Sequence, residues 1–281
     1  MTGQRDNEKP SRNIEVPAFQ AQARPITNGE YWLYLEKTHN RKLPASWISK
    51  YKSRNFANSH LYDFHSEQHL SKSYLDSFES LSLNKEKYEA IFVKTIYGLV
   101  PLNYTLDWPV AASYDELAGY AKWMKGRIPT FEETRSIYSY VEKQRLKEVQ
   151  INTDRAEEAC PAQPHNDTTA QSLFANLDRA NVGLKNWHPT EVTSHGNRLA
   201  GQAEMGGVWE WTSSTLQITE GFKPMSLYPG YTADFFDGKH NIILGGSWAT
   251  HPRIAARKSF INWYQRNYPY TWAGARLVRD L

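Results

Sequence analysis

The rhythm of polar and apolar positions changes about two-thirds of the way along this chain. In the first part, Thr27-Asn-Gly-Glu30, Ser113-Tyr-Asp-Glu116 and Thr130-Phe-Glu-Glu133 each set a hydroxyl three residues before a carboxylate. That spacing lets the two side chains satisfy each other's orphan backbone donors, so each pair predicts a helix start. Behind the second pair, Leu117, Tyr120, Ala121 and Met124 recur at helical spacing and define one apolar face. The third opens just after Pro129 and is expected to carry Ile137, Val141 and Leu146 inward. From about residue 186 onward, short apolar or aromatic runs alternate with Gly, Pro and Asn, the texture of short strands and tight turns. Within it, Trp209-Glu210-Trp211 predicts a strand with both indoles on one side and the carboxylate on the other.

Two stretches break the pattern. Residues 48–90 are polar and rich in Ser and Lys, and residues 142–173 begin as a charged helix tail and dissolve into EEACPAQPHNDTTAQ. Residues 1–13 are polar and predict a flexible, poorly anchored N-terminus. The expected organisation is one domain over 14–281 with polar insertions near 48–90 and 142–173.

Composition sharpens this picture. Aromatic residues make up 14% of the 281 positions, with 16 Gly and 14 Pro spread among them. That suits an α+β, loop-rich fold with little regular secondary structure better than a helical bundle. The 33 basic and 30 acidic residues are interleaved for a net charge of +3, without the basic stripe of a nucleic-acid binder. The single Cys160 excludes an internal disulfide and a thiolate metal cage. No apolar run reaches the roughly 18 residues that span a bilayer, and no signal peptide is recognisable, so no membrane association and a cytoplasmic location are expected.

Several strings occur in a fixed order: PITNGEYWLYLE (25–36), LPASW (43–47), WPVAASYDELAGYAKWMKGRIPTFEE (108–133), NVGLKNWHPTEV (181–192), GGVWEWTSS (206–214), LGGSW (244–248) and AGARLVRD (273–280). Together they resemble the formylglycine-generating-enzyme-like (sulfatase-modifying factor) domain, which implies an irregular α+β fold related to C-type lectins. FQAQARPITNGEY, TLDWPV, LYPGYTADFFDGKHN and WYQRNYPYTWAGARLVRD are most similar to the C-terminal half of fungal ergothioneine-synthesis sulfoxide synthases. Those enzymes join cysteine to the imidazole of hercynine, so the resemblance implies a small betaine-like substrate, Fe(II) and oxygen.

The chain departs from the family in two ways. Formylglycine-generating enzymes carry a cysteine pair after the GGS turn; here those positions fall at about Thr250 and Ala255, so oxidation of a sulfatase cysteine is not expected. The sulfoxide synthases hold iron on a separate helical domain with an H-x-x-x-H-x-E motif, which has no counterpart in this sequence. The iron ligands implied by the family are therefore absent: they come from a partner chain carrying such a helical domain, or have been lost. His65-Ser-Glu-Gln-His69 has metal-ligand spacing on a helix, but Ser71 stands where the motif requires Glu. A solvated surface pair is the favoured reading, and no metal ligand is assigned. Gln4-Arg5-Asp6-Asn7-Glu8 resembles a family G-W-D-N-E string that follows a first strand, which implies a chain starting inside the usual domain.

Candidate site residues follow from these resemblances. A trimethylammonium has no N–H to donate and is best held against π faces. Asn267, Tyr268, Tyr270 and Trp272 offer such faces and an amide; by resemblance Asn267 and Tyr268 match positions contacting the ammonium end, whereas core packing is the favoured alternative for Tyr270 and Trp272. Tyr228 matches the catalytic proton-donating tyrosine of bacterial relatives, with Tyr231 as a substrate-binding neighbour. Arg253 is assigned as a carboxylate clamp out of Arg253, Arg257, Arg266 and Arg276, against the favoured alternative that these arginines tie loops. His188 reads as a hydrogen-bonded core histidine. The expected function is the substrate-pocket half of an iron- and oxygen-dependent C–S bond-forming enzyme, with little or no activity alone. The alternatives are a non-catalytic binding protein that keeps the fold, and a different oxidative tailoring enzyme.

Overall fold

The computed structural model describes residues 6–8, 12–51, 90–157, 173–194 and 196–281. The three hydroxyl–carboxylate pairs each start a helix. Thr27 and Ser113 form reciprocal capping boxes ahead of α1 (Asn28–Lys37) and α2 (Tyr114–Trp123). Thr130 and Glu133 exchange the same two bonds, 2.8 and 3.1 Å, at the start of α3 (Phe131–Glu157).

Strands are short and fall into three sheets. β1 (Phe19–Ala21) pairs antiparallel with β9 (Val278–Asp280), closing the described chain onto its own end. β2 (Trp47–Ser49), β3 (Ile91–Thr95) and β4 (Gly98–Pro101) form an antiparallel meander. The central sheet has the order β7-β6-β5-β8, built from β5 (Trp209–Thr215), β6 (His240–Leu244), β7 (Asn262–Gln265) and the two-residue β8 (Ala273–Gly274). Two short helices, α4 (Gly230–Ala233) and α5 (Pro252–Ala256), sit in the long connections between its strands. This is the irregular α+β architecture the sequence predicts.

Two apolar layers flank the central sheet. Trp209 and Trp211 face one core with Tyr31, Leu35, Leu117 and Tyr120 from α1 and α2. Ile242, Leu244 and Ile261 face the other with Ile137, Tyr138 and Val141 from α3. Glu210 points away from the two indoles, as alternation requires, yet the covering helix leaves it fully buried. Its carboxylate takes a hydrogen bond from the Tyr138 hydroxyl at 2.6 Å and an ion pair from the equally buried Arg276. Burial, reinforced by Glu210, holds the Tyr138 phenol well above its ordinary range, so it acts as a donor.

Three expectations need revision. Leu146 is 59% exposed: the apolar face of α3 ends at Val141, and the charged residues beyond it continue the helix into solvent. The 48–90 excursion is narrower than its composition suggests, because Ile48, Ser49 and Ala90 belong to the meander. Residues 52–89 lie outside the described residues, as do His65, His69, Ser71, Cys160 and the rest of 158–172. The polar N-terminus is anchored in part: Asp6–Glu8 forms a 3-10 turn with Asp6 buried. No helix among the described residues is long and apolar enough to cross a membrane.

Because Glu210 and Arg276 are both removed from water, breaking the pair leaves one charge buried and unpaired. Glu210→Gln should cost about 3 kcal/mol or more in urea unfolding, whereas the joint change Glu210→Leu with Arg276→Met should stay much closer to the parent.

Candidate substrate site

The segment that leaves β6 is a wall. Gly245 turns with φ +80°, where a Cβ would meet the Ala203 backbone at 3.1 Å. Trp248 is then stitched on both sides, its N–H donating to Gly207 O at 2.9 Å and its carbonyl accepting from Leu184 N at 2.7 Å. Thr250 Oγ1 accepts from Ser247 N at 2.9 Å, and Ala255 is fully buried. Both positions where the family places cysteines are thus occupied by side chains that close the turn.

Beside this wall lies a cavity of about 250 Å³ lined by Trp47, Trp108, Trp187, Trp248, Tyr270 and Trp272 among others. His188 also lines it, stacked on Trp108 at 4.8 Å and 13° with Nδ1 2.6 Å from Pro189 O. It is hydrogen-bonded as expected, but at a cavity wall and not in the core. Trp187 reaches the cavity from a loop in which it holds φ +58°, a region costly for a non-glycine residue. Asn181 supports that loop, donating to His188 O at 2.8 Å and accepting from Asn186 at 3.1 Å.

An aromatic path leads from the sheet edge to this cavity. Tyr264 and Tyr268 stack at 5.5 Å and 5°, Tyr268 meets Tyr270 edge-on at 5.9 Å, and Trp272 lies 4.5 Å from Trp248. Tyr270 is 71% exposed and Trp272 42%, so the favoured core-packing role fails for both. Thr271 between them is buried, so the two rings point outward from a segment anchored at Thr271 and again at Ala273.

The structure does not bring all the candidate residues together. Trp263 and Tyr264 are neighbours on β7 and face opposite sides of the sheet. Trp263 packs on Tyr231 at 5.7 Å, and Tyr231 meets Tyr228 at 6.3 Å. Tyr264 carries Tyr268 on the other side. Tyr228 and Tyr231 therefore form one aromatic pair, and Tyr268, Tyr270 and Trp272 form another group, on the two faces of an outer strand. Of the candidates, only Tyr270 and Trp272 line the cavity; Tyr228, Tyr231, Asn267, Tyr268 and Arg253 do not. Asn267 and Arg253 are both exposed.

The loop-tying role holds for three of the four arginines. Arg257 pairs with Glu8 at 2.7 Å, Arg266 with Asp115 at 2.7 Å, and Arg276 with Glu210. The sequence reading missed Trp47, Trp108 and Trp187 as cavity walls. Each stands in a short turn-forming string (ASW, DWP and NWHP), and a Trp beside turn residues is the local signal available.

With this geometry in place, the comparisons are decisive about kinship. The model of the sulfatase-modifying factor enzyme 1-like domain matches residues 1–281. The chain belongs to that family. Its relatives include Ergothioneine biosynthesis protein 1 of Neurospora crassa, 52% identical, with 98% of this chain aligned to 34% of that protein. The protein of the same name from Schizosaccharomyces pombe is 34% identical over 98% of this chain and 27% of its own length. Hercynine oxygenase of Mycobacterium tuberculosis is 29% identical over 98% of this chain and 56% of its own length. The chain thus spans about a third of its fungal relatives and little more than half of the mycobacterial one. Among solved structures, PvdO from Pseudomonas aeruginosa superposes with a TM-score of 0.50 at 16% identity, covering 100% of this chain and 87% of that one, which supports the fold.

The family's sulfoxide synthases imply iron, and the donor set tests that implication. Among the described residues, no three His, Cys, Asp or Glu side chains come together to hold a metal ion. These residues do not fit an iron site.

One buried titratable group precedes a cavity-lining tryptophan in the chain. Asp107, next to Trp108, is 3% exposed and receives a long bond, 3.5 Å, from Thr193 Oγ1 besides the bond from its own backbone N–H. Burial, with Glu191 nearby, pushes its carboxyl up to about 6. A carboxyl raised on folding binds its proton more tightly in the native state, so stability falls as pH rises from about 4 through 6. Asp107→Asn should remove this dependence, raising stability by about 1–2 kcal/mol at pH 7 and leaving it unchanged near pH 3.5. Urea midpoints at the two pH values measure the difference.

Proposed function

We propose that this chain is the substrate-pocket part of an ergothioneine-type sulfoxide synthase, acting on hercynine and a cysteine thiol. The 52% identity to a fungal protein named for ergothioneine biosynthesis carries the reading. The aromatic path over Tyr268, Tyr270 and Trp272 supports it with a surface suited to a trimethylammonium. Each face contributes about 0.5–2 kcal/mol to such a cation and asks for no hydrogen-bond donor. Asn267, beside this path, contacts the ammonium end of hercynine with Tyr268, its amide giving polar orientation. Arg253, whose side chain makes no ion pair among the described residues, clamps the carboxylate of the thiol substrate.

The net reaction joins an imidazole C–H and a thiol S–H with one dioxygen. A C–S bond forms, one oxygen atom goes to sulfur, and the other leaves as water with the two displaced hydrogens. Tyr228 acts as the proton donor to the departing oxygen, with Tyr231 holding its ring. Both tyrosines stand on the face of β7 opposite Tyr268, and Tyr228 is 57% exposed. A substrate meeting both groups lies across the outer edge of the sheet and is closed over by a second, iron-carrying helical unit. The iron ligands belong to that unit in this reading.

Calorimetry with the purified chain tests the pocket. Hercynine should bind, histidine with its free ammonium should bind at least tenfold more weakly, and Tyr268→Ala or Trp272→Ala should each weaken hercynine binding by roughly three- to thirtyfold. Tyr270→Phe should leave affinity unchanged, because the ring face and not the hydroxyl does the holding. Incubation with iron(II), oxygen, hercynine and cysteine, followed by mass spectrometry, should yield no sulfoxide from the chain alone. Absence of any hercynine binding would sink the reading.

A further inference from the structure

The loop from Met225 to Thr232 presents the Tyr228–Tyr231 pair with little support of its own. Leu227 is 91% exposed and Tyr228 57%, and the only regular element is the single turn of α4. Thr232, at its end, is fully buried. The tie that holds it comes from the opposite end of the sequence. Asp6, 8% exposed, accepts from the Thr232 hydroxyl at 2.5 Å through one oxygen and from the Met225 backbone N–H at 3.3 Å through the other. One carboxylate therefore bridges both ends of the loop. Asn7 Nδ2 adds a bond to the Thr232 hydroxyl at 3.3 Å.

The same short turn is fixed on its other side. Glu8 Oε2 accepts from Ser259 Oγ at 2.6 Å and pairs with Arg257 at 2.7 Å. Ser259 lies three residues before β7, the strand whose Trp263 receives the Tyr231 ring. Asp6–Glu8 thus refers the tyrosine turn and the strand it packs on to one three-residue clip. A carboxylate hydrogen bond exceeds a neutral one in strength, and its loss in a buried place costs the desolvation of the partner left behind.

The geometry points to Asp6, with Thr232, as a positioning residue that sets where Tyr228 and Tyr231 stand. Its functional meaning rests on the proposed role of those tyrosines, but the positioning itself is testable without substrate. Amide hydrogen exchange and the ¹⁹F signal of 3-fluorotyrosine at position 228 read the turn directly. Asp6→Ala and Thr232→Val should speed exchange over residues 225–232 by about tenfold or more while α2 stays unchanged. The fluorine resonance should broaden or shift in both variants, and Thr232→Ser, which keeps the hydroxyl, should restore both readouts. Asp6→Asn keeps an acceptor for Thr232 but turns an N–H toward the Met225 amide, so it should loosen the Met225 end alone.

Unchanged exchange and an unchanged fluorine signal in Asp6→Ala, or a rise spread evenly over α2 as well, overturn the inference. If Asp6→Ala does not fold, the isosteric Thr232→Val decides the same question. Hercynine affinity, measured in parallel, separates this from the broader reading. A chain that binds no hercynine at all removes the proposed function, while the exchange and fluorine results still decide whether Asp6 positions the turn.

Discussion

The buried pair between Arg276 and Glu210 is the constraint on which the rest of the structure depends. It joins three pieces distant in sequence: β5, the C-terminal segment after β8, and α3 through the Tyr138 hydroxyl. Two charges without solvent are stable only when each satisfies the other, so the pair admits one arrangement of these pieces. That arrangement fixes the register in which Trp209 faces Ala273 and Glu210 faces Gly274. Trp209 N then donates to Trp272 O at 2.8 Å, and Ala112 N to Ala273 O at 3.0 Å. Gly274 suits this crossing, because a Cβ would press on Val110 O at 3.0 Å and on the Val208 side chain at 3.1 Å. The aromatic segment 268–272 is the chain's last excursion before this locked crossing, and its anchorage comes from the crossing.

Legibility in the sequence followed the range of the interaction. The capping pairs are local, and all three were readable because the partners lie three residues apart. The alternation of Trp209, Glu210 and Trp211 was equally readable, but the covering helix that buries Glu210 was not, since nothing near residue 210 announces α3. The ordered family strings carried the fold, a likeness that covers almost the whole chain. The continuation of α3 past Val141 was legible as a charged helix tail, but Leu146 was read as facing inward although no covering layer reaches it. Asp6 and Glu8 looked like part of an unanchored terminus because their partners lie more than 200 residues away.

The division of the candidate tyrosines between two faces has a simpler origin. Trp263 and Tyr264 are adjacent on a strand, and period two sends them to opposite sides. Partners that pack on each one inherit that separation, which places Tyr231 with Trp263 and Tyr268 with Tyr264. Resemblance assigned roles to residues one at a time, and no such assignment carries information about which face each occupies. β7 is the outer strand of its sheet among the described residues, so both faces border the same open edge. An edge of this kind is otherwise a liability, since unpaired backbone groups invite another chain.

The turn after β6 is closed without thiols. A cysteine pair serves redox chemistry at the wall itself, but here Thr250 and Ala255 serve only to close it. The neighbouring cavity contains no Asp or Glu among its lining residues, and Lys94 is its one formal charge besides the titratable His188. A wall of indole faces without carboxylates offers a primary ammonium no charged partner for its three N–H groups, which lose their water. A trimethylated nitrogen pays no such penalty, because it had no hydrogen bond to lose and its charge is spread over methyl groups that meet the rings directly.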